Sequence, residues 1–378
     1  MPPLNILHVL RAPVGGLFRH VLDLAREQAA RGHRVGIIAD SITGSASADE
    51  TLRELAPSLA LGLTRVPMRR QPDPRDALVT AHVMRRMTQT QADVVHGHGA
   101  KGGAYARLAF NHRSAVRAYT PHGGSLLFGH DTLAGRIYLT TEKLLMRRGD
   151  LFLFESEFSA ETFGRKVGRP GALVRIVHNG VTPAEFEPVT LASDATDLLF
   201  MGELRMLKGI DVLIDAIALM RRDGRAVTAT LVGDGAERQT FHAQVERLDL
   251  GSLIRFKPAM PARTAQALGR VMVVPSRMES LPYVVLETAA AGKPLIATRV
   301  GGIPEIFGPL ADDLVPPDDA PALARAISRT LDRPDWTACA ADTLRGRVAG
   351  SFSLQTMADG VLTGYREALG ALEREKRR

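Results

Sequence analysis

With a single cysteine, Cys339, among 378 residues, the chain cannot form an internal disulfide, and a reducing compartment suits it. Aromatic residues supply only 5% of the sequence. No stacking platform interleaves with the basic residues, which disfavours nucleic acid as a partner. No apolar run approaches the roughly 18 residues that a spanning helix needs. The opening MPPLNILHVL lacks a charged n-region and runs straight into a strand pattern, so it does not read as a signal peptide. Also missing are a G-x-S-x-G elbow, a Walker P-loop and an H-E-x-x-H pair. There is no D-x-D, which leaves a divalent metal without an obvious pair of ligands.

What is present describes a soluble protein of two domains. The hydrophobic fraction is 45% and the charged fraction 24%, and the length exceeds what one ordinary core serves. The net charge of +7 is uneven: residues 1–188 carry 24 Lys and Arg against 17 Asp and Glu, and the remainder carries 24 of each. Ten of the eleven histidines also fall in the first half. Paired basics recur there, at Arg69-Arg70, Arg85-Arg86, Arg147-Arg148 and Arg165-Lys166. Such a surface is either simply solvated or approaches something anionic, such as a membrane leaflet or a lipid pyrophosphate.

Short apolar runs alternate with longer amphipathic stretches, the pattern of parallel βαβ units. Residues 5–10, 34–40, 93–98, 116–122, 151–156 and 174–180 read as buried strands of a first series. The first helix is expected over 18–32. After the polar stretch 190–196, the best linker candidate, a second series begins with strands at 197–203, 228–235, 254–260, 271–276 and 294–299. Helices are expected over 208–224 and 236–251. The last helix, roughly 354–376, carries one apolar stripe through Met357, Val361, Leu362, Tyr365, Leu369 and Leu372. The fold class is therefore α/β, with two doubly wound domains in tandem.

Three segments carry chemistry. In SRMESLPYVVLETAAAGKP (276–294), Pro282 suits the first turn of a helix and Gly292 its end. Glu279 then precedes the helix and Glu287 lies inside it, roughly 7 Å along the axis at 1.5 Å per residue. The backbone N–H groups near Leu281 and Tyr283 would face an anion at the helix tip, and Glu287 would reach ribose hydroxyls. Two surface glutamates on a capped helix would show the same spacing. In LLFMGELRMLKGIDVL (198–213) a strand ends at Gly202, and Lys208 stands where a helix begins. A lysine there does not help the helix dipole, so an anion between them explains it, as does plain solvation. In the first half, Gly15-Gly16 links the first strand to the first helix, and TPHGGSL puts His122 at a strand's C-terminal end, where open α/β sheets bind ligands.

Taken together and in order, these features resemble the family-4 retaining glycosyltransferases of the GT-B fold. They are the Gly pair at 15–16, HGHG at 96–99, PHGG at 121–124, HNGV at 178–181, GELRMLKG at 202–209, VGDG at 232–235, E-x7-E at 279–287 and GGIPE at 301–305. The resemblance implies two Rossmann-like domains facing across a cleft. The first would hold the acceptor and span 1–188 plus the final helix, 358–378; the second, 189–357, would hold the donor. It implies a nucleotide-sugar donor lying along Gly15, Gly16, Gly202, Gly233, Leu281, Pro282, Tyr283 and Glu287. His122, Arg205, Lys208 and Glu279 would act on the reacting sugar and diphosphate, and His20, His98 and Gly123 would line the acceptor side. Members often carry Arg directly after the glycine of the G…KG element. Here that position is Glu203, and Arg205 is the substitute. Pro282 removes one backbone donor of the E-x7-E loop.

The expected activity is transfer of a hexose-type sugar from a UDP- or GDP-sugar to a hydroxyl of a glycan or lipid-linked acceptor, with retention and without metal or other cofactor. The expected setting is exopolysaccharide or lipopolysaccharide assembly, by a cytoplasmic protein that meets the inner membrane face. The apolar residues of GGSLLFGHD (123–131), Leu126, Leu127 and Phe128, read equally as lipid contact and as core. Two other activities fit the same elements: a nucleotide-sugar 2-epimerase, and a non-catalytic nucleotide-sugar-binding module.

Overall fold

The computed structural model describes residues 2–110 and 115–376. The chain divides into two compact units, Met1–Gly180 with Leu354–Arg378, and Val181–Ser353. The division lies ahead of the polar stretch 190–196. That stretch is tied into the second unit, where the amides of Ala192 and Thr196 donate to the carbonyls of Ala267 and Leu268.

In the first unit the strands are β1 (Asn5–Leu10), β2 (Arg34–Asp40), β3 (Gly62–Val66), β4 (Val94–His98), β5 (Val116–Thr120), β6 (Leu151–Phe154) and β7 (Leu173–Ile176). Among the described residues they form one parallel sheet in the order β3-β2-β1-β4-β5-β6-β7. Runs such as Leu151–Phe154 are buried throughout because helices cover both faces of a parallel sheet. The exceptions are the two edge strands: β7 has no buried residue, and neither has β3, which the apolar pattern does not announce. The five residues of β3 are all half-buried.

The final helix, Leu354–Lys376, lays Met357, Ala358, Val361, Leu362 and Tyr365 against Val94, Val116, Leu151 and Leu153 of this sheet. Its Gly360 and Gly364 pass close to the side chains of Val177 and Leu151. The expected apolar stripe is thus buried on the first unit.

The second unit contains β8 (Thr196–Met201), β9 (Ala229–Val232), β10 (Ile254–Lys257), β11 (Gly269–Val274) and β12 (Leu295–Ala297). They form a parallel sheet in the order β10-β9-β8-β11-β12. In both sheets the strand order reverses between the first strand of the unit and the fourth: β1 beside β4, and β8 beside β11. The crevice beyond the C-terminal ends of those strands is where open α/β sheets accept ligands. No described helix is long and apolar enough to cross a membrane.

Candidate functional site

At the first unit's switch point five histidines converge. His8 on β1 is directly opposite His96 on β4, and His98 is opposite Thr120 on β5. Because strand side chains alternate, His96 and His98 share one face of the sheet. Their ring centroids are 3.9 Å apart. His122 follows β5 by two residues with φ +52°, and Gly123 follows at +74°. This pair of left-handed residues turns the chain sharply at the strand end. The expected strand 116–122 therefore stops at Thr120.

The histidines form a hydrogen-bonded series. His8 Nε2 meets the Gln28 amide oxygen at 2.9 Å, His8 Nδ1 meets His98 Nε2 at 3.0 Å, and His98 Nδ1 meets His122 Nε2 at 3.1 Å. An amide oxygen can only accept, so His8 donates to Gln28, His98 to His8, and His122 to His98. His96 bridges the Tyr365 hydroxyl (2.7 Å) and Thr120 Oγ1 (2.8 Å). His20, one turn into the helix Gly15–Ala30, bonds through Nδ1 to Asn179 Oδ1 at 3.0 Å. Its Nε2 is buried without a partner, and its ring packs edge-on against His122 at 4.7 Å.

Burial pushes His8 and His20 down to about 4, and it holds His96, His98 and His122 well below the usual imidazole range. All five are neutral at pH 7. Two triplets, His8-His96-His98 and His20-His98-His122, bring three nitrogens within 4.8 Å of one another and are chemically able to hold a transition metal. An ion in either would displace the hydrogen bonds just described.

Gly15 and Gly16 are exposed and form the first turn of their helix, three residues earlier than the apolar pattern indicates. Gly15 has φ +64°, and a side chain there would meet open space. Leu126 of the following segment is buried in a cluster with Tyr119, Leu139 and Phe152. Phe128 stacks on Tyr138 at 4.9 Å. These two are therefore packing residues, while the side chain of Leu127 lies outside the described residues.

At the second unit's switch point the two remaining motifs meet. Lys208 Nζ donates to Glu279 Oε1 at 2.7 Å, and Ser276 Oγ donates to the same oxygen at 2.7 Å. Lys208 lies in a short 3-10 turn, Met206–Lys208, rather than in the helix itself, which begins at Ile210 behind Gly209. Gly209 has φ +68°, and a Cβ on it would stand 1.9 Å from the Pro275 carbonyl. Only glycine lets these two loops approach so closely. Gly233, at φ +148°, is equally constrained against the carbonyl of Gly202, whose amide in turn donates to Val232.

Pro282 is the N-cap of the helix Tyr283–Ala290, one position earlier than its expected place in the first turn. Leu281 and Tyr283 are buried on either side of it, and Glu287 is half-buried one turn into the helix.

Arg205 is not drawn into this cluster. Its guanidinium is about half exposed and lies 3.7 Å from Glu203. The arginine that organises the site is Arg277. It binds both oxygens of Asp211 at 2.7 Å, reaches Asp318 at 2.6 Å and donates to the Met206 carbonyl. Its own amide donates to Leu207. Arg277 thereby clamps the Lys208 loop to the Glu279 loop. Its position in the SRMES segment is visible in sequence, but its partners lie 41 to 71 positions away. His8, Gln28 and Tyr365 escape a reading by motif for the same reason, whereas Asn179 lies in the HNGV segment. The HGHG run at 96–99 and the PHGG turn at 121–124 are local signals of the imidazole cluster.

Two parallel doubly wound units, each with a cluster of polar side chains at its switch point, define a two-Rossmann protein of the GT-B class. The structure superposes on the sucrose-phosphate synthase of Thermosynechococcus elongatus with a TM-score of 0.79, at 23% identity, covering 97% of this chain and 100% of that one. On Anabaena HepE, solved in complex with UDP and glucose, the TM-score is 0.78 at 20% identity, covering 96% and 100%. The family model for Glycosyltransferase Family 4 matches residues 14–185, and that for Glycosyl transferases group 1 matches 195–333. The D-inositol 3-phosphate glycosyltransferase of Acidothermus cellulolyticus is 30% identical over 94% of this chain and 86% of its own. The chain belongs to glycosyltransferase family 4 and is a glycosyltransferase.

Proposed function

We propose that the protein transfers a hexose-type sugar from a UDP- or GDP-sugar to a hydroxyl of a glycan or lipid-linked acceptor, with retention and without a metal, in exopolysaccharide or lipopolysaccharide assembly. The acceptor would be met at an anionic inner membrane face. The observation that carries the donor side is the Lys208–Glu279–Ser276 cluster at the β8/β11 switch point, with Glu287 on the adjoining helix. Support also comes from HepE, a neighbour in fold that was solved with UDP and glucose.

In this reading Lys208 exchanges Glu279 for a diphosphate oxygen, and the tip of the helix Tyr283–Ala290 faces the same charge. Glu279, released, takes sugar hydroxyls. Leu281, Pro282 and Tyr283 border the diphosphate, Glu287 holds the ribose, and Arg205, free of the cluster, swings to the phosphates. Gly202 and Gly233 keep the floor of the crevice open. In the first unit, Gly15 and Gly16 let the backbone approach the donor. The His122 turn with Gly123 receives the transferred sugar, and His98 fixes that turn. His20 Nε2, buried and unpartnered, accepts from an acceptor hydroxyl.

The bond from the anomeric carbon to the diphosphate breaks, and the bond to the acceptor oxygen forms on the same face. The acceptor's proton passes to the departing phosphate oxygen. Among the described residues the hydrogen-bond partners of the imidazoles outside the cluster are Gln28, Thr120, Asn179 and Tyr365, none of them a carboxylate that could serve as a nucleophile, unlike the close carboxylate pair of retaining glycosidases. Catalysis would rest on positioning and on stabilising the leaving charge.

Lys208→Ala and Glu287→Ala are each expected to lower turnover about 10²-fold or more, the scale of losing one charge-stabilising donor. Unchanged turnover in both would refute the donor site. NMR of the product's anomeric configuration tests retention separately.

A further inference from the structure

One helix of the first unit is built inside out. In Leu133–Met146 the inward face carries Gly135, Leu139, Glu142 and Leu145, all buried. The outward face carries Leu133, Ile137 and Leu144, which are 75%, 49% and 70% exposed. At 100° per residue these three fall within about 40° of one another, so they form a single apolar stripe. Exposed Arg136 and Lys143 flank it on one side together with Arg147, and Arg148 lies on the other. The helix's one carboxylate, Glu142, is turned inward. There it accepts from Arg107, Tyr119 and Ser125 at 2.7 to 2.9 Å, so no acid of the helix offsets the basic rim.

A soluble core helix places its large apolar residues inward. An apolar stripe bordered by cations is instead the arrangement of a helix lying in a lipid interface, its leucines among acyl chains and its basic residues at the headgroups. We infer that the face of Leu133–Met146 is a docking surface for an anionic bilayer. The basic rim selects the occupant. A second copy would set this cationic face against its own like charges, whereas an anionic leaflet complements it.

The position also fits the chemistry. The inner side of the same helix, through Glu142, holds Ser125 three residues after His122. Docking would thus sit on the back of the turn assigned to the transferred sugar. The inference rests on the membrane clause of the proposed function and not on its donor chemistry.

The test is co-sedimentation of the full chain with phosphatidylcholine vesicles, with and without phosphatidylglycerol. The wild type should sediment with the anionic vesicles. Leu133→Ser/Ile137→Ser/Leu144→Ser should bind at least about tenfold more weakly. Arg136→Gln/Lys143→Gln/Arg147→Gln/Arg148→Gln should lose the preference for phosphatidylglycerol. All seven side chains at the helix and its end are exposed, so melting temperatures should match the wild type. Donor hydrolysis without vesicles should also be unchanged, and its absence in the wild type would count against the donor reading alone.

A wild type that stays in the supernatant overturns the inference, as does a triple-serine variant that binds as tightly as the wild type. So does a dimer in vesicle-free solution that the triple variant dissolves, since a second copy would then be the occupant.

Discussion

Five neutral imidazoles buried at one strand end give the protein a defined response to acid. His8 and His20 are pushed down to about 4 in the folded chain, against 6.5 when unfolded. Below pH 6.5 the unfolded chain therefore takes up protons that the folded chain refuses. The stability these residues allow is fully present above pH 6.5 and is lost as pH falls toward 4. At about pH 5 the loss is about 2 kcal/mol for each of the two. Calorimetric melting between about pH 7 and pH 5 should show a steep fall, and His8→Gln should flatten it. A melting temperature that stays level in the wild type would contradict burial of these rings in neutral form.

Between elements, function depends on loops that touch. The Lys208 and Glu279 loops meet because Gly209 presents no Cβ to Pro275 and because Arg277 bonds across the junction. Gly209→Ala combines a left-handed φ with a collision of 1.9 Å against backbone. It should cost about 1–3 kcal/mol of stability and lower turnover by an order of magnitude or more. Wild-type kinetics in that variant would show that the loop junction does not position Lys208.

The same elements show what could be read beforehand. Apolar runs announce eleven of the twelve strands among the described residues, the half-buried edge strand β7 included, and β3, with Thr64 and Arg65 in it, is the one they miss. Lys208 and Glu279 stand out because each sits in a short segment with a helix signal, and the fold pairs them. The partners that hold them in place are another matter. His20 meets Asn179 across 159 positions and His96 meets Tyr365 across 269, and no local spacing encodes such contacts. Arg205 stands out only by its position along the chain, and its half-exposed side chain lies near Glu203.

Over the whole molecule the two units divide their chemistry. The first is rich in histidine and basic residues, with its polar cluster beside β1 and β4. The second, Val181–Ser353, carries 19 Lys and Arg against 22 Asp and Glu, and its cation–carboxylate cluster lies beside β8 and β11. In the proposed reading the same Rossmann-like winding serves a neutral, hydroxyl-handling crevice in one unit and a charge-handling crevice in the other. On this account the nucleotide belongs to the second.

A crystal structure with UDP or GDP bound tests this most directly. The diphosphate should accept from Lys208 Nζ, at the tip of the helix Tyr283–Ala290, with the ribose on Glu287 and the Lys208–Glu279 bond broken. A nucleotide bound away from residues 202–209 and 279–287, with that bond intact, would contradict the account.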